Sequence, residues 1–207
     1  MYIPEFNRVE DRGVALAFMQ ANPFAILISA TDEGPFATHL PILAREVEGQ
    51  LQLRGHVAKA NPHWKSISPA QESLVIFHGP HAYISPSLYE LRESVPTWNY
   101  AAVHVYGKGT VFTEEAQLNQ FLQELIARFD SSYAAQWPAL SEQYRSRMVQ
   151  HIVGFEINVT RVETKFKLSQ NRTKAEQENI ITALESSSDS AAAAVAILMK
   201  DRGLGSQ

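Results

Sequence analysis

Short apolar segments separated by tight turns occupy most of this chain, and they constrain its fold more than any other feature. TDEGP lies between FAILISA and FATHLPIL, and EVEGQ precedes LQLRGHV, which is typical of strands connected as hairpins. Further β segments are expected at 73–79, 95–112 and 151–168. Because no helix alternates regularly with these strands, the sequence predicts a mainly β (α+β) fold in which about six antiparallel strands form a closed or partly closed barrel.

Helical periodicity is confined to the insertions between strands and to the chain ends. The segment 113–129 places its apolar residues on one helical stripe. After Gln170 the composition changes, and TKAEQENIITALES and SAAAAVAILMKDRG have the pattern of two helices. We therefore expect a barrel domain with peripheral helices over 1–170 and a C-terminal helical pair over 171–207.

Composition excludes several classes of function. The chain has no cysteine, so it has no disulfides, thiolate zinc sites, iron–sulfur clusters or thiol catalysis. Among the histidines, only His56 with His63 and His78 with His81 form near pairs. Neither pair has the helical spacing of a zinc motif, so no metal site is predicted. The net charge of −4 argues against a polycation that coats nucleic acid.

Nothing in the sequence predicts export or membrane insertion. The N-terminal segment MYIPEFNRVEDRG carries acids where a signal peptide has a basic and then an apolar region. The most apolar segment, FAILISA, is too short to cross a bilayer. We expect a cytoplasmic protein.

Motifs for nucleophilic catalysis and for phosphate loops are absent from the sequence. No G-x-S-x-G sequence occurs. Gly107 and Gly109 follow one β segment and precede another, so we interpret them as a structural irregularity in a strand and not as a phosphate loop. The catalytic residues are therefore unknown, and His39 and His81 are the first histidines to test if the protein is an enzyme.

The stretch GHVAKANPHW, at 55–64, joins a strand to a short helix. Arg54, His56 and Lys59 lie at this junction with no acid nearby in sequence. Asn61 is expected to cap the helix and Pro62 to occupy its first position, so backbone donors would face the turn. Two interpretations stay open: an anion-binding turn, or solvated surface charges beside a simple cap.

Two other segments have a composition that suits a ligand. TWNYAAVHVYG places Trp98 and Tyr100 on one face of a strand and Asn99 on the other, which suits either a planar heterocycle or an aromatic pair across strands. TKFKLSQNR places Lys165 and Lys167 on one face, which suits either phosphate or nucleic acid, or an edge strand protected by lysines.

Taken together and in order, six motifs carry a family resemblance. ATHLPIL, LRGHVAKANPHW, VIFHGPHAYISPSLYE, VPTWNYAAVHVYG, HIVGFEI and KFKLSQNR resemble the PaiB family of transcriptional regulators. The resemblance extends from MYIP to the C-terminal helices. This family is similar to the FMN-binding split β-barrel proteins, which are relatives of pyridoxamine-phosphate oxidase and flavin reductases. The resemblance implies a six-stranded antiparallel split β-barrel that forms a homodimer, with FMN at the dimer interface.

The resemblance also implies a set of FMN-binding residues. In such barrels the second strand lies along the flavin ring, the third strand and its turn hold the phosphate, a long strand reaches the other subunit's flavin, and a basic segment completes the pocket. The matching residues, in that order, are Thr38, His39, Leu40 and Pro41; Arg54, His56, Lys59 and Asn61; Trp98 and Asn99; and Lys167 and Gln170. His63 and Trp64, which follow the turn, are assigned to packing of the short helix.

The resemblance implies a flavin-binding negative transcriptional regulator. Two alternatives stay open: an FMN-dependent oxidoreductase of the flavin reductase or oxidase kind, and a haem-handling protein with one histidine as axial ligand. Direct contact with DNA would fall to the helical pair at 173–202. Its first helix is acidic and its second is rich in alanine, so it is a poor recognition element.

Overall fold

A computed structural model of the chain describes residues 1–205 and shows an α+β fold built on one sheet. The strands follow the order β2-β1-β5-β6-β7-β4-β3, and the registered pairs β1–β2, β1–β5, β3–β4 and β4–β7 are antiparallel. The strands are β1 Phe24–Thr31, β2 Gly34–Pro41, β3 Leu43–Val47, β4 Gln50–Ala58, β5 Glu72–Ile84, β6 Thr97–Phe112 and β7 Ile152–Lys167.

The expected count of six strands is wrong, because the second predicted strand divides in two. Pro41 is the last residue of β2, paired with Phe24, and proline cannot donate to a continuing ladder. The next amide, Ile42 N–H, donates to the Pro23 carbonyl at 2.8 Å, and Leu43 then pairs with β4. The structure therefore has seven strands, in a sheet whose edges β2 and β3 are unpaired with each other over residues 1–205, and the sheet is not closed.

The turn between β3 and β4 shows why these strands pair as predicted. Glu48 and Gly49 both have positive φ, at 50° and 77°, which is the backbone that a tight hairpin turn requires. Glycine adopts this conformation without steric cost. The hairpin expected at EVEGQ is confirmed.

Six α-helices accompany the sheet in the part of the chain described. The C-terminal pair begins at two well-formed caps. Thr173 and Glu176 form a reciprocal capping box, and the Asp189 carboxylate accepts from the Ala191 amide. The helices are α1 Arg12–Ala21, α2 Glu115–Phe129, α3 Gln136–Ala139, α4 Glu142–Val149, α5 Lys174–Glu185 and α6 Ser190–Asp201.

The chain packs into two compact units, and their boundaries fall inside helix α1 and inside the three longest strands, β5, β6 and β7. The terminal unit comprises Met1–Phe18, His78–His104 and the chain from Glu163 onward, and the central unit comprises Met19–Phe77 and Val105–Val162. The expected boundary at residue 170 stays a prediction. Each unit has buried apolar side chains, among them Val103, Phe166, Leu168 and Val195 in the terminal unit and Leu27, Phe77, Phe121 and Phe155 in the central unit.

Candidate functional site

The turn after β4 is organised by side-chain hydrogen bonds in the central unit. Asn61 caps a short 3-10 helix, Pro62–Ser66, by accepting the His63 amide at 3.0 Å, so the predicted cap is confirmed. Its amide nitrogen donates to the Thr38 hydroxyl at 3.2 Å. The structure thus brings together Thr38 of β2 and Asn61 of the turn, two residues that the resemblance assigns to the ligand.

The same hydroxyl begins a buried polar chain that sequence reasoning missed. Thr38 Oγ1 lies 2.8 Å from His63 Nδ1, and His63 Nε2 lies 3.1 Å from Ser29 Oγ. Ser29 Oγ in turn lies 2.8 Å from Ser73 Oγ. His63, Ser29 and Ser73 are each 1% exposed. Burial lowers the pKa of His63 and favours its neutral form. One sequence feature could have indicated this arrangement, namely a serine at an inward position of the apolar strand FAILISA.

Arg54, expected at the phosphate, is engaged by carboxylates. Its Nη1 lies 2.6 Å from Glu124 Oε2 of α2, and its Nε lies 3.5 Å from Glu156 Oε2 of β7. The guanidinium also lies over the ring of Phe121, at 5.2 Å from the centroid. The side chain is buried. Acids that are distant in sequence therefore pair with the positive charge that appeared unopposed in sequence.

His56 is placed in an apolar setting. Its ring meets Phe121 edge to face at 5.7 Å, and its Nδ1 is buried without a hydrogen-bond partner among the described residues. Burial lowers the pKa of His56. A neutral imidazole against a phenyl ring is a poor phosphate donor.

Lys59 is the exposed cation of this turn. Its backbone is held at both ends: the amide donates to the His151 carbonyl at 2.7 Å, and the carbonyl accepts from Trp64 Nε1 at 3.1 Å. No carboxylate within residues 1–205 pairs with its ammonium group. The turn therefore fixes the backbone of Lys59 and leaves its charge available.

The rest of the β2 segment has mixed exposure. His39 is exposed and its ring stacks on Phe24 with centroids 6.5 Å apart. Leu40 is buried, and Pro41 is half-buried at the strand end. Alternation along β2 thus places His39 on the face opposite Thr38 and Leu40.

In the terminal unit, Trp98 offers an exposed aromatic surface. Its side chain is 52% exposed and lies beside Tyr83 and His81, with ring centroids 5.8 Å and 6.0 Å away. The Lys167 ammonium donates to the Trp98 carbonyl at 2.6 Å and to the Thr97 hydroxyl. Burial, and then the neighbouring Lys165, lower the pKa of Lys167.

Asn99 and Gln170, also expected at the ligand, make internal contacts. Asn99 is fully buried and accepts from the Ser169 hydroxyl at 3.1 Å. Gln170 accepts the Leu168 amide at 2.7 Å and donates to the Phe166 carbonyl. These bonds hold the chain between β7 and α5, where Ser169 has a positive φ of 64°.

Two absences within residues 1–205 bear on the site. No group of three or more histidine, aspartate or glutamate side chains within residues 1–205 is arranged to hold a metal ion. No helix in that range has both the length and the apolar character needed to cross a membrane.

An open antiparallel sheet with peripheral helices, and a turn that presents a lysine and an amide, define an α+β protein with a candidate anion-binding turn. The family described as "Putative FMN-binding domain" matches residues 1–161, and this chain belongs to that family. The resemblance found in the sequence is therefore confirmed.

A curated relative and two solved structures extend the comparison. "Protease synthase and sporulation protein PAI 2" of Bacillus subtilis is 36% identical over 204 residues, covering 98% of each chain. The flavocytochrome Anf3 of Azotobacter vinelandii has a TM-score of 0.62 at 15% identity, covering 80% of this chain and 72% of that one. A FAD and heme binding protein of Mycobacterium smegmatis has a TM-score of 0.60 at 14% identity, covering 78% and 73%. At these identities the two structures show similarity of fold alone.

Proposed function

We propose that this protein binds FMN and holds the phosphate of FMN at the turn after β4. The family match over residues 1–161 supports a flavin ligand. The single structural observation that carries the proposal is the junction of Thr38, Lys59 and Asn61. There an unpaired ammonium group stands two residues from an amide that is already oriented by Thr38.

The donor chemistry of this junction fits a phosphate group. Lys59 supplies one positive charge, and Asn61 has a second N–H beyond the one donated to Thr38. We assign Arg54 and His56 to the packing of the central unit, because one is paired with acids and the other faces Phe121. With fewer charged donors than the sequence predicted, the proposed phosphate site binds loosely. FMN itself would supply the redox chemistry of the flavin ring.

Lys59→Ala tests the phosphate role directly. We expect FMN affinity to fall about tenfold, because one charge-assisted contact is lost, while the affinity for riboflavin, which lacks the phosphate, stays the same. Quenching of flavin fluorescence measures both.

The matched control is Lys65→Ala. Lys65 is an exposed lysine of the short helix Pro62–Ser66 that follows the turn, and its Nζ lies 5.7 Å from the Trp64 ring centroid. Its removal should leave both affinities unchanged. An unaltered FMN affinity in Lys59→Ala would exclude the phosphate role.

We further propose that the flavin protein is a cytoplasmic homodimer and a negative regulator of transcription. The name of the Bacillus subtilis relative, a sporulation protein, supports a regulatory role, and the exposed Tyr83 and Trp98 offer apolar surface to a second copy. Light scattering tests the dimer.

Salt-dependent binding to duplex DNA tests direct regulation of transcription. Absence of DNA binding even at low salt would mean that any effect on transcription is indirect.

Haem binding is a second candidate, supported by a histidine pair in the terminal unit. The rings of His78 and His81 are exposed and lie 5.2 Å apart, and the His81 ring adjoins Trp98, which suits a planar ligand with an axial imidazole. The names of both solved structures include a haem or a cytochrome. Titration with hemin should shift the Soret band of free hemin to longer wavelength, and this shift should be lost in His81→Ala and kept in His39→Ala. An unchanged shift in His81→Ala would remove this candidate.

A further inference from the structure

The buried polar chain of Asn61, Thr38, His63, Ser29 and Ser73 has a direction that follows from its donors and acceptors. Asn61 Oδ1 accepts the His63 amide, which turns the Asn61 nitrogen toward Thr38 Oγ1. The Thr38 hydroxyl therefore accepts from Asn61, and its second side-chain partner is His63 Nδ1 at 2.8 Å.

The tautomer of His63 follows from the buried end of this chain. Ser73 is 1% exposed and Ser29 is its one side-chain partner within residues 1–205, so the Ser73 hydroxyl donates to Ser29 Oγ at 2.8 Å. The Ser29 hydroxyl then donates to His63 Nε2 at 3.1 Å, so the proton of the neutral ring lies on Nδ1, which donates to Thr38 Oγ1 at 2.8 Å. In the opposite direction the hydrogen of the buried Ser73 would have no acceptor among residues 1–205, whereas the half-buried Thr38 hydroxyl can donate to solvent.

Three elements fix the ring in place. Ser29 and Ser73 stand on neighbouring strands β1 and β5, Thr38 stands on β2, and the Phe36 ring meets the imidazole edge to face at 5.1 Å. The imidazole is 1% exposed, so it cannot touch a ligand in the solvent-facing turn. It can act only through Thr38 and Asn61.

We propose that His63, as the Nδ1–H tautomer, is a positioning residue that holds the Thr38 hydroxyl and the Asn61 amide so that the second N–H of Asn61 points to the ligand phosphate. This inference rests on the proposed FMN function. His63 has no role in the proposed FMN function itself, and this inference gives it one. We therefore predict that the buried His63 ring affects the binding of the FMN phosphate and not the binding of the flavin ring.

The first measurement needs no ligand. Long-range ¹H–¹⁵N spectra of the free protein should show His63 as the Nδ1–H tautomer. In Ser29→Ala, which removes the hydroxyl that donates to Nε2 and deletes a single buried hydroxyl, the His63 nitrogens should shift toward a mixture of tautomers. An Nε2–H tautomer in the wild-type protein would overturn the inference, whether or not FMN binds.

The second measurement compares FMN with riboflavin. In Ser29→Ala and in His63→Asn, we expect FMN affinity to fall about tenfold, as on loss of one hydrogen bond to a charged group, while riboflavin affinity is kept. Ser73→Ala is the control, because it leaves every contact of His63 intact. A merely structural role would lower both affinities or neither, and that result would overturn the positioning role.

Failure of the proposed FMN-binding function gives results that can be distinguished from failure of the positioning role of His63. A wild-type protein that binds neither FMN nor riboflavin refutes flavin binding, and one that binds both equally refutes the phosphate site. In both cases the positioning role of His63 is refuted as well, because there is no phosphate for Asn61 to contact. The tautomer measurement still decides whether the assigned hydrogen-bond direction is correct. If His63→Asn does not fold, Ser29→Ala carries the comparison alone.

Discussion

At the scale of single residues, Arg54 shows how charge in a sequence differs from charge in a structure. It has no acid near it in sequence, yet it is paired with Glu124 and Glu156. Removing a buried partner of an ion pair leaves the remaining charges uncompensated, which costs more than the pair contributes. We therefore expect that replacing Arg54 lowers the free energy of unfolding and leaves FMN affinity unchanged.

Arg54→Ala should lower the free energy of unfolding by about 2–3 kcal/mol, less than for a fully buried pair because both carboxylates are partly exposed. Arg45→Ala is the control: Arg45 faces the same two carboxylates at 3.4 and 3.7 Å but is far more exposed. Its loss should cost less than about 1 kcal/mol. Urea denaturation measures both, and a loss of FMN affinity at unchanged stability in Arg54→Ala would contradict the structural role.

Asn99 is a second residue whose contacts are internal. It is fully buried, accepts from Ser169 and has its amide 3.8 Å from Met199 Sδ. Asn99→Ala should lower the free energy of unfolding by about 2 kcal/mol, because the Ser169 hydroxyl is left buried without its partner. Thermal unfolding measures the loss. The neighbouring Trp98→Ala should cost less, because that side chain is half exposed, and equal costs would argue against the bond to Ser169.

At the scale of elements, β6 and β7 approach each other closely because β6 carries glycine. A Cβ placed on Gly107 would lie 2.5 Å from the carbonyl oxygen of Asn158, and a backbone atom cannot move aside as a flexible side chain can. A Cβ on Gly109 would lie 2.3 Å from Ile67 Cγ2. Gly107 therefore permits the close approach of the two strands, and Gly109 leaves room for the Ile67 side chain, which agrees with their interpretation as structural.

Gly107→Ala should destabilise the protein by about 2–3 kcal/mol, the usual cost of overpacking a core. Lys108→Ala, one residue away on an exposed position of the same strand, should change stability by less than about 0.5 kcal/mol. Differential scanning calorimetry of the two variants checks this. Equal unfolding midpoints for the two variants would mean that β6 and β7 can move apart to accommodate a Cβ at residue 107 without loss of stability.

At the scale of the whole molecule, three histidines connect stability to pH, of which His63 is buried and His56 and His104 are half-buried. Burial lowers the pKa of His56, His63 and His104 from 6.5, and for His104 the N-terminal charge lowers it further while Glu163 partly offsets this. Below pH 6.5 the unfolded chain therefore binds more protons at these sites than the folded chain. The stability that they contribute is fully present above about pH 6.5 and is lost as the pH falls toward the folded pKa values.

The free energy of unfolding should therefore fall between pH 7.5 and pH 5.5, and His56→Gln should show a shallower fall than the wild type because one of the three groups is gone. His39→Gln, which alters an exposed histidine, should leave the slope unchanged. Urea titrations at three pH values measure the slopes. Identical slopes in His56→Gln and the wild type would remove His56 from this account.

Local patterns predicted local structure well. Asn61 and Pro62 begin a short helix as expected, and the turn at Glu48 and Gly49 joins the expected hairpin, because caps and turns depend on backbone geometry within a few residues. The strand count was wrong by one, because the change of partner after Pro41 depends on which strand lies alongside.

The family and the antiparallel β character of this protein follow from its sequence alone, since both rest on motifs and on alternation along the chain. The environment of each charged or polar side chain was decided only by the tertiary structure. Folding brings Glu124 and Glu156 to Arg54, and Ser29 and Thr38 to His63, and none of these pairs is close in sequence. Hydrogen bonds and ion pairs act over a few ångströms, so the partner of each such group is known only once the strands and helices are packed.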